Sequence, residues 1–440
     1  MLSNYFKLAL KVLARKKFYT FVSLFGISFT LMVLMLMVGF LDNEFGNHSP
    51  ISRSDRMLFL GAVTMKLNVP DTSRVVDSVL QDGIMTYDTT LNIGETTRST
   101  SNSEAGFYLL DNYLRDLPHV ENYSFYSSGG SFDVYLNSQK LKLDATYTDA
   151  NYWDVFDYEF VEGRPYRAAE VETASPGVVI TEKGRRAYFG EGVKAEGMEM
   201  LISGKTYKVL GVIANASRAS FRSDIFVPYT HMRPGAIQEK NYLGGFEAAF
   251  LANSASEMTA VQGAAQHMIP SIPMLEPDDF NHLEFDLLPF LEQNARSIFF
   301  NDEDAIYYFI LVLGVILGLF VVVPTLNLIN INVTRIMERS SEIGVRKAFG
   351  AKSTDLLVQF IFENIILTFI GGLIGLLLAL LMMKMLNDSQ VIAPVRLVFY
   401  PSAFGLSILV WFVFGIASGL LPALRMSRLH VVSALKRNEL

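Results

Sequence analysis

The 440-residue chain contains no cysteine, so no disulfide bond stabilises any part of it. Histidine is scarce as well, and the six histidines are scattered without the spacing of metal ligands. No arrangement of serine, histidine and aspartate typical of nucleophilic catalysis is legible in the sequence. We therefore expect no metal centre and no catalytic site in this chain, and we expect that it is not an enzyme.

A complete nucleotide-binding loop is also lacking. Gly204-Lys205-Thr206 matches the end of the phosphate-loop pattern G-x-x-x-x-G-K-[ST], but Glu199 stands where the first glycine is required. We interpret this stretch as a turn between strands and expect no cofactor in this chain. A cluster of four carboxylates admits two interpretations, a calcium site or, as we favour, a solvated acidic face: Asp278, Asp279, Glu284 and Asp286.

Apolar residues, in contrast, are abundant. They make up 50% of the chain and are concentrated in blocks. Four blocks reach the roughly 20 residues that a helix needs to cross a bilayer, namely 18–41, 305–332, 356–384 and 402–422. The first block also fits a cleaved signal peptide. Its apolar run is longer than usual and lacks small residues before a cut, so we favour an uncleaved anchor.

The charges predict the orientation of these helices, because short basic segments stay on the cytoplasmic side. Segments 1–17, 333–355 and 423–440 hold 14 of the 37 basic residues but only 4 of the 44 acidic ones. Both termini are therefore expected in the cytoplasm. The long loop 42–304 and the short loop 385–401 are expected outside. The net charge of −7 thus combines a basic inner side with an acidic outer domain.

The predicted fold is a membrane protein of four transmembrane helices, with a large α+β extracytoplasmic domain inserted between the first two. Within this domain we expect two lobes, the second at roughly 120–230, because strand and helix periodicities alternate. Gly129-Gly130 and Asn137-Ser138 are turn signals. Residues 287–304 carry apolar residues at helical spacing up to the second span, which predicts one continuous stalk helix. Residues 1–17 have the pattern of an amphipathic helix on the inner membrane surface.

Small and polar residues interrupt the predicted spans. Small residues let helix backbones approach closely in lipid, so two packing faces are predicted: Gly314 and Gly318 on the second span, and Gly371, Gly372 and Gly375 on the third. Each face fits either a contact within the subunit or one with a second copy. Glu363 and Asn364 lie two turns from the cytoplasmic end of the third span. There we expect a structural pairing with another helix rather than proton transport.

The charged segment 335–351, between the second and third spans, carries the most specific motif. Its sequence, RIMERSSEIGVRKAFGA, alternates both signs of charge with apolar residues. From Glu338 onward it resembles the permease signature E-R-x-x-E-I-G-x-R-K-A-x-G-A of the MacB/FtsX/LolC-LolE family of ABC transporters. Upstream, NYWDVF at 151–156 and EGR at 162–164 are similar to the periplasmic core of that family, whereas Val432 stands where the family has a proline near its C-terminus.

The resemblance implies a non-catalytic permease subunit of the bacterial inner membrane, dimeric with a second copy or with a related permease. A pair of cytoplasmic ATPases, which bind ATP and Mg²⁺, would hold a coupling helix in the loop 333–355. Its charged and apolar residues suit a polar protein interface: Glu338, Arg339, Glu342, Ile343, Gly344, Arg346 and Lys347. Closure of the ATPases would then move the exported domains, a mechanism known as mechanotransmission.

The resemblance leaves the cargo open. We favour export or extraction of a substrate from the outer face of the inner membrane, because the exported domain is larger than that of FtsX-like members. A regulator of an envelope hydrolase, of the FtsX kind, and a lipoprotein-releasing subunit, of the LolC-LolE kind, are the alternatives. Further candidate partners are a periplasmic adaptor, an outer-membrane channel and membrane lipid. Nucleic acid is not expected.

Overall fold

The structure is a computed structural model in which the chain forms two compact units. The helical unit comprises Met1–Gly46, Ser217–Ala219 and Tyr307–Leu440, and the sheet unit comprises Asn47–Ala216 and Ser220–Ile306. The structure describes residues 17–81, 84–136, 139–216, 218, 221–300, 302–338, 345, 349–350, 353–389, 397–398, 400, 405, 408–409 and 412.

The described residues form ten α-helices and fourteen strands. Helices α1 to α10 are, in chain order, Lys17–Phe45, Phe107–Leu109, Tyr152–Val155, Ala168–Glu172, Glu182–Phe189, Pro234–Gln238, Met258–Met268, Phe290–Ile298, Ala305–Glu338 and Ser353–Ser389. Helix α2 continues into a π turn at Leu110–Leu114. Strands β1 to β14 are Met57–Leu60, Val63–Gln81, Ile84–Ala105, Val120–Leu136, Gln139–Thr148, Phe160–Gly163, Gly177–Thr181, Glu199–Ile202, Lys205–Ile213, Ile225–Pro228, Leu243–Gly244, Glu247–Ala252, His282–Glu284 and Leu287–Pro289.

Two helices of the helical unit are long and apolar enough to cross a membrane, within the part of the chain that the structure describes. They are Thr20–Phe45 in α1 and Ile365–Ser389 in α10, while Ala305–Phe320 in α9 is a shorter apolar helix. Most of the predicted fourth span, and residues 1–16 of the predicted amphipathic helix, lie outside the described residues. The four-helix count therefore stays a prediction.

The sheet unit mixes helices with two sheets, as expected. The larger sheet has the strand order β14-β1-β12-β4-β5-β10-β7-β9-β6, with β8 pairing with β4 and β9. Strand β7 lies inside it, parallel to β9, and all five of its residues, Gly177–Thr181, are buried. A continuous Val-Val-Ile run suits such a strand, because both of its faces are covered. Strand β8, near the margin, instead alternates exposed and buried residues.

Two clusters of buried apolar side chains stabilise the sheet unit. One surrounds α2 and α7 and includes Leu109, Phe250 and Val261. The other surrounds β7 and β9 and includes Ile180 and Val209. The large sheet runs through both clusters, and the division into two lobes stays a prediction.

A long two-stranded ribbon extends from the smaller sheet, whose order is β11-β3-β2-β13. Strands β2 and β3 pair from Val63 with Ser103 to Gln81 with Ile84, with one register shift between Leu67 and Asn68. The neighbouring strands are short, since β13 pairs with β2 only at Thr64 to Lys66. At about 3.3 Å per residue, the part beyond these neighbours is about 50 Å long. Residues 76–94 of this ribbon are polar and show no clear alternation of apolar and polar residues, so their sequence alone leaves their structure ambiguous.

One turn prediction is wrong. Gly129-Gly130 lies inside β4 and forms a bulge, because the pairing with β5 shifts register between Ser128 and Gly130. Gly130 has a φ of +70°, and a side chain on Gly129 would meet the carbonyl oxygen of Ala145 at 3.0 Å. Glycine therefore serves the bulge conformation and the close strand approach rather than a chain reversal. The other turn signal, at 137–138, lies outside the described residues.

The predicted continuous stalk helix is also wrong. Residues 287–289 form β14, α8 ends at Ile298, and α9 begins only at Ala305. Phe300 has a φ of +56°, which no helix accommodates. The Asp302 side chain accepts a hydrogen bond from the Asp304 amide at 2.8 Å, and its carbonyl accepts one from Ala305 at 3.1 Å. Asp302 thus starts a new helix, because its carboxylate satisfies an amide that would otherwise lack a partner.

A buried carboxylate holds the end of β5 against β4. Asp149 accepts hydrogen bonds from the Ser124 hydroxyl at 2.8 Å, the Phe125 amide at 2.7 Å and the Tyr152 amide at 2.8 Å. Burial raises the pKa of Asp149 to about 7, although these three donors favour the anion and oppose the shift. The contacts fix the start of α3, whose aromatic residues Tyr152 and Trp153 pack against Phe226.

Candidate functional site

The helical unit is built on close contact between α1 and α10. Ile27, Leu31 and Leu34 of α1 form one buried cluster with Ile366 and Leu367 of α10. A second cluster further along the same helices joins Met32 and Met35 to Ala379. Apolar side chains thus fill this contact over several turns, and the two helices form a continuous pair.

Glycines of α10 allow this contact to be close. A Cβ atom on Gly371 would lie 2.5 Å from Ile27 Cγ2, and one on Gly375 would lie 2.8 Å from the backbone oxygen of Ser28. Such distances leave no room for any side chain. Gly372, between them, is buried as well. In this structure the glycine face of α10 contacts a helix of the same subunit.

The glycines of α9 lie in different surroundings. No atom lies within 4 Å of a Cβ built on Gly314 or Gly318, among the residues that the structure describes. Large apolar side chains next to them are exposed, including Leu311, Val315 and Leu319. At its outer end α9 contacts α1 through Phe309, whose ring lies edge-on to Phe45 with centroids 5.5 Å apart. The face with Gly314 and Gly318 is open over the described residues.

The coupling segment lies between α9, which ends at Glu338, and α10, which begins at Ser353. Residue 345 is helical, the Phe349 amide donates to the Val345 carbonyl at 3.0 Å, and Gly350 has a φ of +94°. A hydrogen bond of this spacing followed by a left-handed glycine is a helix C-terminus. The other predicted contact residues, Arg339, Glu342, Ile343, Gly344, Arg346 and Lys347, lie outside the described residues.

Two apolar residues of this segment were missed by sequence reasoning. Phe349 is 89% exposed and Val345 is 46% exposed. They are four residues apart in the sequence, which is the spacing of one helix face. The resemblance drew attention to the matching positions of the signature, whereas 345 and 349 are its variable positions. The i, i+4 apolar spacing was the available signal.

The structure describes the backbone, but not the side chains, of the two polar residues predicted inside the third span. Glu363 and Asn364 lie in the first half of α10, just before the residues that contact α1, Ile366 and Leu367. Their side chains lie outside the described residues. The expectation of a pairing with another helix stays a prediction.

The EGR motif at 162–164 has structural roles in the sheet unit. Glu162 accepts from Arg185 at 2.6 Å and from the Ala195 amide at 2.9 Å. Gly163 has a φ of +65°, and a Cβ there would lie 2.1 Å from the Leu210 oxygen. Arg164 donates to both carboxylate oxygens of Glu170, at 2.7 and 2.8 Å, and holds the pKa of that carboxyl down at about 2.

The Gly204-Lys205-Thr206 stretch and two members of the acidic cluster also have structural partners. Ser203 and Gly204 form the left-handed turn that joins β8 to β9, so Gly204-Lys205-Thr206 lies at a hairpin. In the acidic cluster, Asp286 bonds to Arg296 at 2.6 Å and Glu284 to Lys66 at 2.5 Å. No group of three or more potential metal ligands is close enough to hold an ion among the described residues.

Two protein-family models match this chain, and together they cover both the sheet unit and the helical unit. The family model for the MacB-like periplasmic core domain matches residues 20–268, which is more than half of the chain. The chain belongs to the MacB/FtsX family of ABC transporter permeases. The model for the FtsX-like permease C-terminal domain matches residues 314–431, and so covers α10 and the coupling segment of the permease.

Individual relatives of this permease are distant. The uncharacterized ABC transporter permease YvrN of Bacillus subtilis is 29% identical over 73% of this chain and 77% of its own. The pyoverdine export ATP-binding/permease protein PvdT of Pseudomonas entomophila is 26% identical over 77% of this chain and 50% of its own. The macrolide export ATP-binding/permease protein MacB of Shewanella oneidensis is 27% identical over 74% and 48%. The permease thus spans about half the length of these two export proteins.

Among solved structures, the periplasmic region of MacB from Actinobacillus actinomycetemcomitans matches the permease with a TM-score of 0.30 and 14% identity. The match covers 42% of this chain and 79% of that one.

Proposed function

We propose that this permease couples ATP hydrolysis by a cytoplasmic ATPase dimer to movements of its sheet unit, and thereby exports or extracts a substrate at the outer face of the inner membrane. The observation that carries the proposal is the exposure of Val345 and Phe349, which lie between α9 and α10 and are joined by a backbone hydrogen bond. The relatives named as export proteins carry an ATP-binding part together with their permease part.

Exposed apolar residues distinguish this turn from a solvated loop. The positive-inside rule explains Arg339, Arg346 and Lys347, but it gives no reason for a phenylalanine that is 89% exposed. Burying such a side chain against a partner stabilises a complex by about 1.5 to 3 kcal/mol. The flanking charges of both signs would fix the register of the same interface. The turn therefore suits a groove on an ATPase.

The contact between α1 and α10 supplies a route from this turn to the sheet unit. Helix α10 follows the turn directly, and Gly371 and Gly375 bring its backbone against α1. Helix α1 in turn leads along the chain into the sheet unit at Asn47. Because close-packed helices move together, displacement of α10 by an ATPase would reach α1.

Reconstitution with the partner ATPase in lipid nanodiscs tests this proposal. We expect Phe349→Ser, and separately the double substitution Glu342→Ala and Arg346→Ala, to abolish ATPase binding or stimulation without lowering the thermal stability of the permease. Phe349→Leu, which keeps an apolar side chain, should retain coupling. Met198→Ser, at a similarly apolar exposed position of the sheet unit, is the matched control. Full coupling in both the Phe349→Ser variant and the double alanine variant would overturn the assignment.

Copurification from native membranes distinguishes the cargo hypotheses. An outer-membrane channel with a periplasmic adaptor would support export, and bound acylated protein would support lipoprotein release. A peptidoglycan hydrolase would instead support the regulatory alternative. Because the ATPase contact is common to all three, this experiment is independent of the preceding one.

A further inference from the structure

The short helix α8, at the end of the sheet unit, has an unusual distribution of side chains. Two of its polar residues are engaged inside the unit: Arg296 bonds to Asp286 at 2.6 Å and to Glu292 at 3.2 Å, and the Asn294 side chain donates to the Phe290 carbonyl at 2.7 Å. Three residues of α8 are exposed, and two of them are apolar; the third is Ser297. Leu291 is 38% exposed and Ile298, seven residues later on the same face, is 55% exposed.

Phe300 extends this apolar surface beyond the end of the helix. Its left-handed backbone, with a φ of +56°, turns the chain out of α8, and its ring is 98% exposed. A phenylalanine held almost wholly in water by an unfavourable backbone conformation calls for an apolar environment outside the unit. Leu291, Ile298 and Phe300 together are here called the apolar foot.

The position of the foot along the chain indicates what covers it. Apolar helix α9 begins at Ala305, five residues after Phe300, and five residues of extended chain reach at most about 17 Å. The first turn of α9 exposes Tyr307 and Tyr308, a residue type enriched where helices enter a membrane. Asp302, Glu303 and Asp304, all exposed, lie between the foot and α9 and suit the hydrated headgroup level.

We propose that the apolar foot inserts into the outer leaflet of the bilayer and anchors the base of the sheet unit to the membrane surface. The proposal rests on the proposed membrane span of α9. A second protein surface is the competing occupant, but the exposed residues of α8 carry no charge and offer it a single side-chain donor, the Ser297 hydroxyl. Lipid requires only apolar surface, which is what the foot presents.

Single-cysteine labelling tests this proposal cleanly, because the chain contains no cysteine of its own. A nitroxide is attached to Phe300→Cys or Ile298→Cys in the full-length protein, reconstituted in nanodiscs of phosphatidylcholine and phosphatidylglycerol. We expect relaxation by oxygen to exceed relaxation by a water-soluble nickel chelate at both sites. Val161→Cys, 45% exposed on β6 of the same unit, should show the opposite order.

A label at Val315→Cys on α9, where the side chain is 54% exposed, tests separately whether α9 spans the membrane. Lipid-type accessibility at 315 with water-type accessibility at 298 and 300 would overturn the foot and leave the span intact. Water-type accessibility at 315 would overturn both. Shielding of 298 and 300 from oxygen and chelate alike would show that protein covers the foot, and would also contradict insertion.

Discussion

The molecule has enclosed regions, whose key residues are in contact with other residues of the chain, and open regions, whose key residues are not. In the enclosed regions, Gly371, Gly375 and Asp149 are fixed by atoms of the same chain at contact distance. In the open regions, Gly314 on α9 and Phe349 in the coupling turn have little around them among the described residues. The two glycine pairs share one spacing, so spacing alone does not tell whether a face is already occupied. Substitutions should therefore lower the stability of enclosed regions and affect only association at open ones.

The largest effect is expected for Gly375→Leu. A Cβ there would lie 2.8 Å from the backbone oxygen of Ser28 and 3.2 Å from Leu31 Cβ, so α1 and α10 must separate. We expect a loss of about 3 kcal/mol in the free energy of unfolding. Thermal unfolding of the purified protein in detergent measures it. Unchanged stability would show that α1 and α10 are not in contact at this glycine. The distinction between enclosed and open regions would then be wrong for the residue that supports it best.

Asp149→Ala should have the next largest effect. The substitution leaves the Ser124 hydroxyl and the amides of Phe125 and Tyr152 without their buried acceptor. We expect a loss of about 2 kcal/mol, measured by chemical unfolding of the full chain. Asp149→Asn retains one acceptor oxygen and should lose less. If alanine and asparagine were equally harmless, the carboxylate would not hold β5 to β4.

The pH dependence of stability provides a smaller, signed test of an enclosed carboxylate. Burial, together with the nearby Glu104, raises the pKa of Glu247 to about 7, while a hydrogen bond with Tyr126 opposes the shift. Between the ordinary glutamate pKa, about 4.5, and pH 7 the folded state binds a proton that the unfolded state has released. Stability should therefore fall as pH rises through this window.

Glu247→Gln should remove most of that fall between pH 4.5 and 7, because a glutamine side chain does not titrate. Unfolding midpoints across this pH range measure the difference from the unsubstituted protein. Glu172→Gln, at an exposed position of α4, is the control. A steeper fall in Glu247→Gln would reverse the predicted sign and contradict the raised pKa.

The smallest effect on stability is expected for Gly314→Leu. With no atom within 4 Å of its Cβ among the described residues, the new side chain meets open space, and stability should change by less than about 0.5 kcal/mol. The mass of the protein in detergent should be measured as well. If the Gly314→Leu variant is as stable as the unsubstituted protein but no longer forms a dimer, this face of α9 contacts a second copy of the chain. A stability loss as large as that of Gly375→Leu would show that the open face is closed within one subunit.

Local sequence patterns predicted the elements that depend on local chemistry. Apolar periodicity predicts strands at 177–180 and 207–213 and a helix at 255–267, and β7, β9 and α7 lie at these positions. The stalk was wrong because helical spacing continues through 299–304, whereas a single carboxylate, Asp302, starts a separate helix. Spacing records only which residues could share a face. It does not record which backbone amides are satisfied by side chains.

The candidate site was predictable only in outline. The charged signature predicts a coupling segment at 335–351, and that assignment stays a prediction. The exposure of Phe349 required a structure, because exposure depends on what the rest of the chain covers. The same holds for the glycines, since Ile27 and Ser28, which lie against Gly371, are more than 340 residues earlier in the chain. Long-range contacts of this kind leave no periodic signal in a single sequence.

The break between α8 and α9 has a mechanical consequence. A continuous helix resists bending and twisting, because each turn is hydrogen-bonded to the next. At Phe300 the left-handed backbone interrupts that ladder between α8 and α9. A twist of α9 about its own axis is therefore not passed to α8 through continuous helical hydrogen bonds.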